Sequence, residues 1–254
     1  MNPSHNASDI LRIATYNIHK GVQGLGPARR LEIHNLGLAV EQLDADIVCL
    51  QEVRKLHRRE AAYFQRWPDV PQAEFLAPEG YEAVYRTNAI TKHGEHGNAL
   101  LSRWPVIGHQ HEDISDHRFE QRGLLHVPVQ WNGVEIHVVV VHLGLIHSSR
   151  VRQVKQVAKL VAEQLPPKAP VVIAGDFNDW NEALDHILTD VGLTRARTLM
   201  AERVPTYPSR VPVLALDRVY TRGLACQSIM VPRGTSWARL SDHLPLVAEF
   251  ELDL

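Results

Sequence analysis

Cysteine is scarce: Cys49 and Cys226 are the only two in 254 residues. A disulfide framework and a zinc knuckle are both excluded as organising principles. Cys49 sits in the apolar run Ile47-Val48-Cys49-Leu50 and reads as a small buried hydrophobe. No apolar run approaches the ~20 residues that a membrane-spanning helix requires. Met1 to Asp9 is polar and lacks the apolar centre of a secretory signal, so residues 1–9 read as a flexible tail. A soluble, cytoplasmic monomer is the expectation. An excess of one charge sign is also missing. The formal net charge is −2, so no global basic field announces a nucleic-acid partner, and only a local basic groove is left open. Low-complexity linkers and internal repeats are absent, which favours one domain over residues 10–254.

What is present is an ordinary globular composition, 44% hydrophobic and 22% charged, which excludes disorder over most of the chain. Ile10 to Ile18 alternates as a half-buried strand does. Leu31 to Leu43 has helical spacing. Asp46 to Leu50 is a short apolar strand ending at Gln51-Glu52. Tyr81 to Tyr85, Asn98 to Leu101, Val106 to His109 and Leu124 to Val129 read as strands. Asn132-Gly133 is a hairpin signal before the β-branched run Val134 to Val141. Ser148-Ser149 can cap a helix that runs to about Leu165, before Pro166-Pro167. Val171 to Ala174 is a buried strand and Glu182 to Leu188 a short helix. Leu214 to Tyr220, Ser228 to Val231 and Leu246 to Phe250 are late strands. The pattern is mixed α/β, with hairpins that exclude a purely parallel sheet.

The informative feature is where polar residues stand. Apolar runs lead into Asn17 and His19, into Gln51-Glu52, into His142 and into Gly175-Asp176-Phe177-Asn178. Asp217 follows Val213-Leu214-Ala215-Leu216, and Ser241-Asp242-His243 precedes Leu244-Pro245-Leu246. A buried carboxylate is costly unless it is paired or bound to a cation. Each residue has a bland role on its own: Asp176 as a turn cap, Glu52 paired with Arg54, His142 as a satisfied core histidine. Six such positions together suggest one site. If they converge, carboxylates and an amide beside imidazoles favour Mg²⁺ or Mn²⁺ over zinc. Such a set suits hydrolysis of a phosphate ester.

Thr15-Tyr16-Asn17-Ile18-His19-Lys20-Gly21, Leu50-Gln51-Glu52-Val53, Gly97-Asn98-Ala99-Leu100-Leu101-Ser102-Arg103, Val141-His142-Leu143, Gly175-Asp176-Phe177-Asn178, Leu216-Asp217-Arg218-Val219 and Ser241-Asp242-His243-Leu244-Pro245 form an ordered series. It resembles the endonuclease/exonuclease/phosphatase family from about residue 10 to 250. The resemblance implies a four-layer sandwich: two mixed β-sheets packed face to face, with helices outside (DNase I-like). It also implies roles. Glu52 matches the principal metal ligand, with Asn17 beside it and Asp242 near the metal. Asp176 and Asn178 match the pair that orients the attacking water and the phosphate. His243 matches the imidazole at the scissile phosphate, Asp217 its orienting carboxylate, and His142 a second imidazole. His19 stands where abasic-site nucleases usually carry Asp, and His142 also departs from their pattern. Both move the expectation away from DNA repair and toward an uncharacterised bacterial hydrolase subgroup.

Outside the series, Arg122 is placed to meet a phosphoryl oxygen, with His19 as a second candidate phosphate contact. Arg54, Lys55, Arg58 and Arg59 read as a solvated basic loop. His93 and His96, set among glycines, read as a mobile loop at the site mouth. Trp180 and Trp237 neighbour the motifs and are candidates for the pocket wall. The leading function is hydrolysis of a phosphodiester or phosphomonoester on a small or lipid-linked substrate. Nucleic acid and phospholipid are both candidate partners, and neither is required. The alternatives are a DNA or RNA nuclease and, last, a non-catalytic phosphate-binding module, since degenerate modules usually lose the site residues kept here.

Overall fold

The computed structural model describes residues 10–197 and 203–253. The proposed tail at residues 1–9 lies outside that range. The chain begins with β1 (Leu11–Asn17), a small ribbon of β2 (Val22–Gln23) and β3 (Arg30–Leu31), and α1 (Ile33–Leu43). It continues through β4 (Ile47–His57), α2 (Arg58–Tyr63), α3 (Gln72–Leu76), β5 (Glu82–Thr91), β6 (Gly94–Ser102) and β7 (Gln110–Asp113). Then come β8 (Gly123–Trp131), β9 (Val134–His142), α4 (His147–Glu163), β10 (Val171–Asp176), α5 (Asp185–Thr189) and β11 (Thr194–Arg195). The last elements are β12 (Asp217–Arg222), β13 (Leu224–Met230), α6 (Trp237–Leu240) and β14 (Leu246–Leu252).

Two six-stranded mixed sheets result, ordered β13-β14-β1-β4-β6-β5 and β11-β12-β10-β9-β8-β7. Alternation explains how they stack. Leu11, Ile13, Ile47 and Cys49 from one sheet meet Val138, Val140, Val172 and Ala174 from the other in a shared core. The opposite faces are covered by helices. Ile33, Leu36, Val40 and Leu43 of α1 pack outside the first sheet, and Val154, Val157, Ala158 and Val161 of α4 outside the second. Both helices bury one stripe at helical spacing. The fold is the four-layer α/β sandwich that the motifs imply.

Strand direction brings the polar residues to one rim. β1 and β4 run parallel, with Asn17 opposite Gln51, and β9 and β10 run parallel, with His142 opposite Asp176. β12 is antiparallel to β10, so its first residue, Asp217, stands opposite the last residue of β10, Asp176. β14 is antiparallel to β1 with Leu246 opposite Thr15, so Ser241-Asp242-His243 enters beside the end of β1. Asn17, His142, Asp176 and Asp217 all occupy inward-facing places by the two-residue period. Each stands one step past the apolar core shared by the sheets.

Several elements differ from the sequence expectation. Asp217 begins a strand where the apolar run before it reads as one, because Leu214 pairs only with Tyr207 in a loop. β4 does not stop at Glu52 but continues to His57. Ser148 and Ser149 do not cap α4, whose N-cap is Ile146 without a side-chain hydrogen bond. Ser149 instead donates to Asp116 Oδ2 at 2.6 Å. Val106 makes a single bridge to Val129, and the strand that follows starts at Gln110. His93 lies in the two-residue turn of the β5–β6 hairpin and His96 is half-buried within β6. The glycines there serve close strand contacts: a Cβ on Gly97 would run into the Arg86 carbonyl.

On the helix side of the second sheet, His126 and His137 are buried with Nε2 and Nδ1 3.0 Å apart. Burial, then the neighbouring His137, pushes His126 down to about 4. Burial also lowers His137, against the pull of Glu135. An unfolded imidazole titrates near ~6.5. Between those values the unfolded chain therefore binds more protons, and stability present above that range is lost as pH falls. Thermal melts should show Tm decreasing from pH 7 to pH 5, and His126→Gln should flatten the decrease. Equal slopes in wild type and variant would contradict this origin.

Candidate active site

The first sheet contributes Asn17 and Glu52. By strict alternation Glu52 would face the helices, with Val48 and Leu50. The register against β6 instead slips between Leu50 and Val53. That is a β-bulge with one extra residue on β4. Val48, Leu50 and Val53 all keep the helix side, and Glu52 takes a left-handed φ of 58°. The extra residue frees its carboxylate from the helix side. Glu52 Oε2 lies 2.8 Å from Lys20 Nζ, with the Glu52 side chain only 16% exposed. Burial would raise this carboxyl, but the Lys20 ammonium outweighs burial and holds it below the usual carboxylate range.

Asn17 joins the two sheets. Its Nδ2 donates to Asp176 Oδ2 at 3.1 Å and more weakly to Glu52 Oε1 at 3.4 Å. Its Oδ1 accepts from the His19 N–H at 3.1 Å, and the Ser241 hydroxyl donates to its carbonyl at 2.6 Å. Asn98, buried in β6, adds a second tie by donating to the carbonyls of Gly123 and Val140 at 2.9 and 3.2 Å.

The second sheet contributes a carboxylate–imidazole chain. Asp217 Oδ2 accepts from His243 Nδ1 at 2.8 Å and from the Thr206 hydroxyl at 2.5 Å. The other ring nitrogen, Nε2, lies 3.6 Å from Asp176 Oδ2. His142 Nε2 approaches that oxygen at the same 3.6 Å. Asp176 Oδ1 accepts from the Asn178 N–H at 2.9 Å, and Asn178 Nδ2 donates to the Leu143 carbonyl at 2.9 Å. Gly175 allows close packing beneath this turn, since a Cβ there would strike the Val141 carbonyl.

The electrostatics separate the three central groups. Burial opposes charge on His243, but Asp217 and Asp176 prevail and push it up to about 10. Burial raises Asp176 to about 6, against the neighbouring His243. Burial, then Arg122, depresses His142 well below its ordinary value. An imidazolium, a carboxylate of unusual basicity and a neutral imidazole therefore share one oxygen of Asp176.

All ten candidate residues from the sequence lie at this rim. Asp242 and His19 form a half-exposed pair, Oδ1 to Nδ1 3.3 Å. Arg122 lies beside His142, but its guanidinium already donates to the Leu143 and Gln121 carbonyls and to Glu120. Residues outside the ten differ in placement. Arg54 does not pair with Glu52; it is buried against Glu60. The basic segment after Glu52 is therefore strand and helix, not a loop. Trp237 packs in the helix-side core of the first sheet and also lines a hollow with Arg30 and Arg239, and Trp180 is exposed. Sequence reasoning gave no role to Lys20 or Thr206, and it set His96 at the site mouth but in a loop. Lys20 stands inside the first motif and was open to notice. His96 is pushed down to about 4 by burial and then Lys20, which places it near the Glu52 side. Thr206 carries no local signal. Arg218 was also missed: it is fully buried and locks the turn after Asn178, with Nη1 3.0 Å from Asp179 Oδ2.

The residues fit a divalent cation in one of two ways. The ligand atoms of Asp176, Asp217 and His243 lie within 4.8 Å of one another. Two of them are already bonded to each other, however, and an ion there would break the 2.8 Å contact. Among the described residues, Glu52 Oε2 is a buried oxygen that accepts no hydrogen bond and lies 2.8 Å from the Lys20 ammonium. That position favours positive charge without dismantling the imidazole chain.

Known proteins resemble this chain in sequence or in fold. YbhP of Escherichia coli K12, itself described as uncharacterized, is 38% identical over 255 residues, covering 98% of this chain and 100% of YbhP. An endonuclease/exonuclease/phosphatase structure from Bacteroides vulgatus superposes with a TM-score of 0.73 at 20% identity, covering 96% of this chain and 99% of that one. Danio rerio TDP2 complexed with a single-strand DNA product gives 0.67 at 18% identity, covering 96% and 100%. At those identities the two structures support the fold alone. Residues 14–243, which reach from the first motif to His243 of the last, match the Endonuclease/Exonuclease/phosphatase family, and the chain belongs to it.

Proposed function

We propose that the chain is a divalent-metal-dependent hydrolase of a phosphodiester or phosphomonoester on a small or lipid-linked compound. Members of the family act on phosphoester bonds. The observation that carries the reading is the Asp217–His243–Asp176 chain beside Glu52. Glu52 and Asp242 would hold the ion, and the Asn17 amide would align Glu52 with Asp176. Their hard oxygens suit Mg²⁺ or Mn²⁺. When bound, the ion polarises a phosphoryl oxygen and offsets developing negative charge.

The protein's own groups divide the proton work. Asp217 fixes the ring of His243 through Nδ1 and leaves Nε2 facing the site. The His243 imidazolium donates a proton to a phosphoryl or leaving oxygen. Asp176, with one oxygen held by the Asn178 N–H, takes the proton of the attacking water. His142, kept neutral, contributes a hydrogen bond without adding charge. His19 and Arg122 complete the phosphate contacts. Cytoplasmic placement and a monomeric state belong to the same reading. Cleavage of DNA or RNA is the alternative. It draws support from the fold shared with TDP2, whose DNA product is that protein's own.

Hydrolysis of bis(p-nitrophenyl) phosphate should require added Mg²⁺ or Mn²⁺ and stop with EDTA. His243→Ala should lower kcat by roughly 10²- to 10⁴-fold, the range for a positioned acid–base group, and Glu52→Gln should raise the metal concentration needed. Full activity in both variants would sink the assignment.

Asp217→Asn removes a charge that raises His243. The protonated imidazole is then lost at lower pH, and the alkaline limb of kcat/KM should move toward neutrality. An unmoved limb would remove His243 from the role of proton donor.

A further inference from the structure

Next to the catalytic rim the surface forms three connected hollows. One of about 350 Å³ is walled by Gly24, Arg30, Pro208, Arg210 and Asp242. It shares Arg210 with a hollow of about 520 Å³ that also holds Arg233 and Arg239. Arg210 and Arg239 also line a third, of about 630 Å³, together with Arg30 and Glu32. The groove thus starts at a residue of the proposed metal centre and leads away past arginines.

Their state distinguishes these arginines from many others in the molecule. Arg30 is held by Glu32 at 3.1 Å. Among the described residues, the guanidinium groups of Arg210, Arg233 and Arg239 have no carboxylate or hydrogen-bond partner, and all three residues are exposed. Many arginines elsewhere are spent on acids, among them Arg12 on Glu249, Arg103 on Asp44, Arg152 on Asp116, Arg195 on Glu182 and Arg218 on Asp179. Uncompensated like charges gathered along one groove repel each other and favour an anion.

The elements that carry them are tied to the site. The Ser209 N–H donates to the Asp242 carbonyl at 2.7 Å, and the Ser209 hydroxyl to the Ala238 carbonyl at 3.2 Å. Arg210 therefore follows a residue anchored on both Asp242 and α6. Arg239 belongs to α6, directly ahead of Ser241-Asp242-His243. Trp237 lines the third hollow but is only 7% exposed, so the groove offers guanidinium forks and little ring surface for stacking. Guanidinium forks match phosphate oxygens.

We infer that this arginine groove binds a second phosphate of the substrate, so the preferred substrate carries at least one phosphate besides the one cleaved. The inference rests on the phosphoesterase reading above and names its substrate class. Repeating phosphodiesters of a nucleic-acid strand and the clustered phosphates of a soluble polyphosphorylated alcohol present the same chemistry.

The test compares wild type with R210Q/R233Q/R239Q and with the single charge reversal Arg210→Glu, each checked by circular dichroism and melting temperature. Hydrolysis of bis(p-nitrophenyl) phosphate, which has one phosphate, reports the phosphoesterase reading alone. A short single-stranded oligonucleotide and inositol hexakisphosphate then report the groove, both as substrates and as ligands of His243→Ala protein by calorimetry. The ratio of kcat/KM for the multiply phosphorylated substrate to that for the single phosphate should fall at least tenfold in the triple variant. For the oligonucleotide, the slope of log Kd against log salt should become shallower by roughly 2, from ~0.7 per phosphate contact removed at three arginines. A response to the oligonucleotide only assigns a strand, and a response to the inositol phosphate only assigns a soluble ester. An unchanged ratio with unchanged binding overturns the inference. Binding confined to anionic vesicles also overturns it, in favour of a lipid surface. Failure on bis(p-nitrophenyl) phosphate with arginine-dependent binding intact would remove the phosphoesterase reading and leave the anion groove standing.

Discussion

Asp176 and Asp217 face each other across neighbouring strands at a rim almost closed to water. Two buried carboxylates in such proximity cannot both stay ionised unless a cation stands between or beside them. His243 meets that requirement, bonded to Asp217 and approaching Asp176. Much of the rest follows from holding this arrangement. Thr206 supplies Asp217 with a second donor, and Asn17 and the Asn178 amide share Asp176. Arg218 fixes the turn behind them. The two carboxylates therefore favour the protonated form of this buried imidazole.

The opposite sheet solves a related problem by bending its backbone. His19, Lys20 and Glu52 have φ values of 44°, 62° and 58°, and Asn178 across the site has 49°. Side chains other than glycine and asparagine rarely adopt that region, at about 1–3 kcal/mol each where the structure enforces it. In return, Lys20 and Glu52 meet at 2.8 Å, away from the apolar layers. Strain collected at His19, Lys20 and Glu52, on one side of a rim of charged groups, is a common mark of a functional site.

The rim was legible in the sequence because the two-residue period extends past the apolar core. Asn17, His142 and Asp176 are the next inward places after Thr15, Val140 and Ala174, and their polarity stands out. The order of the motifs carried the fold further than periodicity does. What stayed hidden depends on long-range register. A bulge needs a partner strand, so Glu52 reads as the end of a strand that in fact continues. Asp217 reads as an end because antiparallel pairing, unseen in one strand, makes its start equivalent. Glycines around His96 suggest a loop until β5 is placed beside it. Thr206 and the partnerless arginines of the groove carry no periodic signal at all. Their roles depend on which side chains reach them.

The central claim is that the imidazole chain stays intact while a cation sits on Glu52. Crystals grown with Mn²⁺ and phosphate, with anomalous data collected at the manganese edge, test it most directly. The account predicts a manganese peak bonded to the Glu52 carboxylate and a phosphate against His142 and His243, with the Asp217–His243 hydrogen bond retained. Manganese bonded to Asp217 and His243 in place of that hydrogen bond would contradict it.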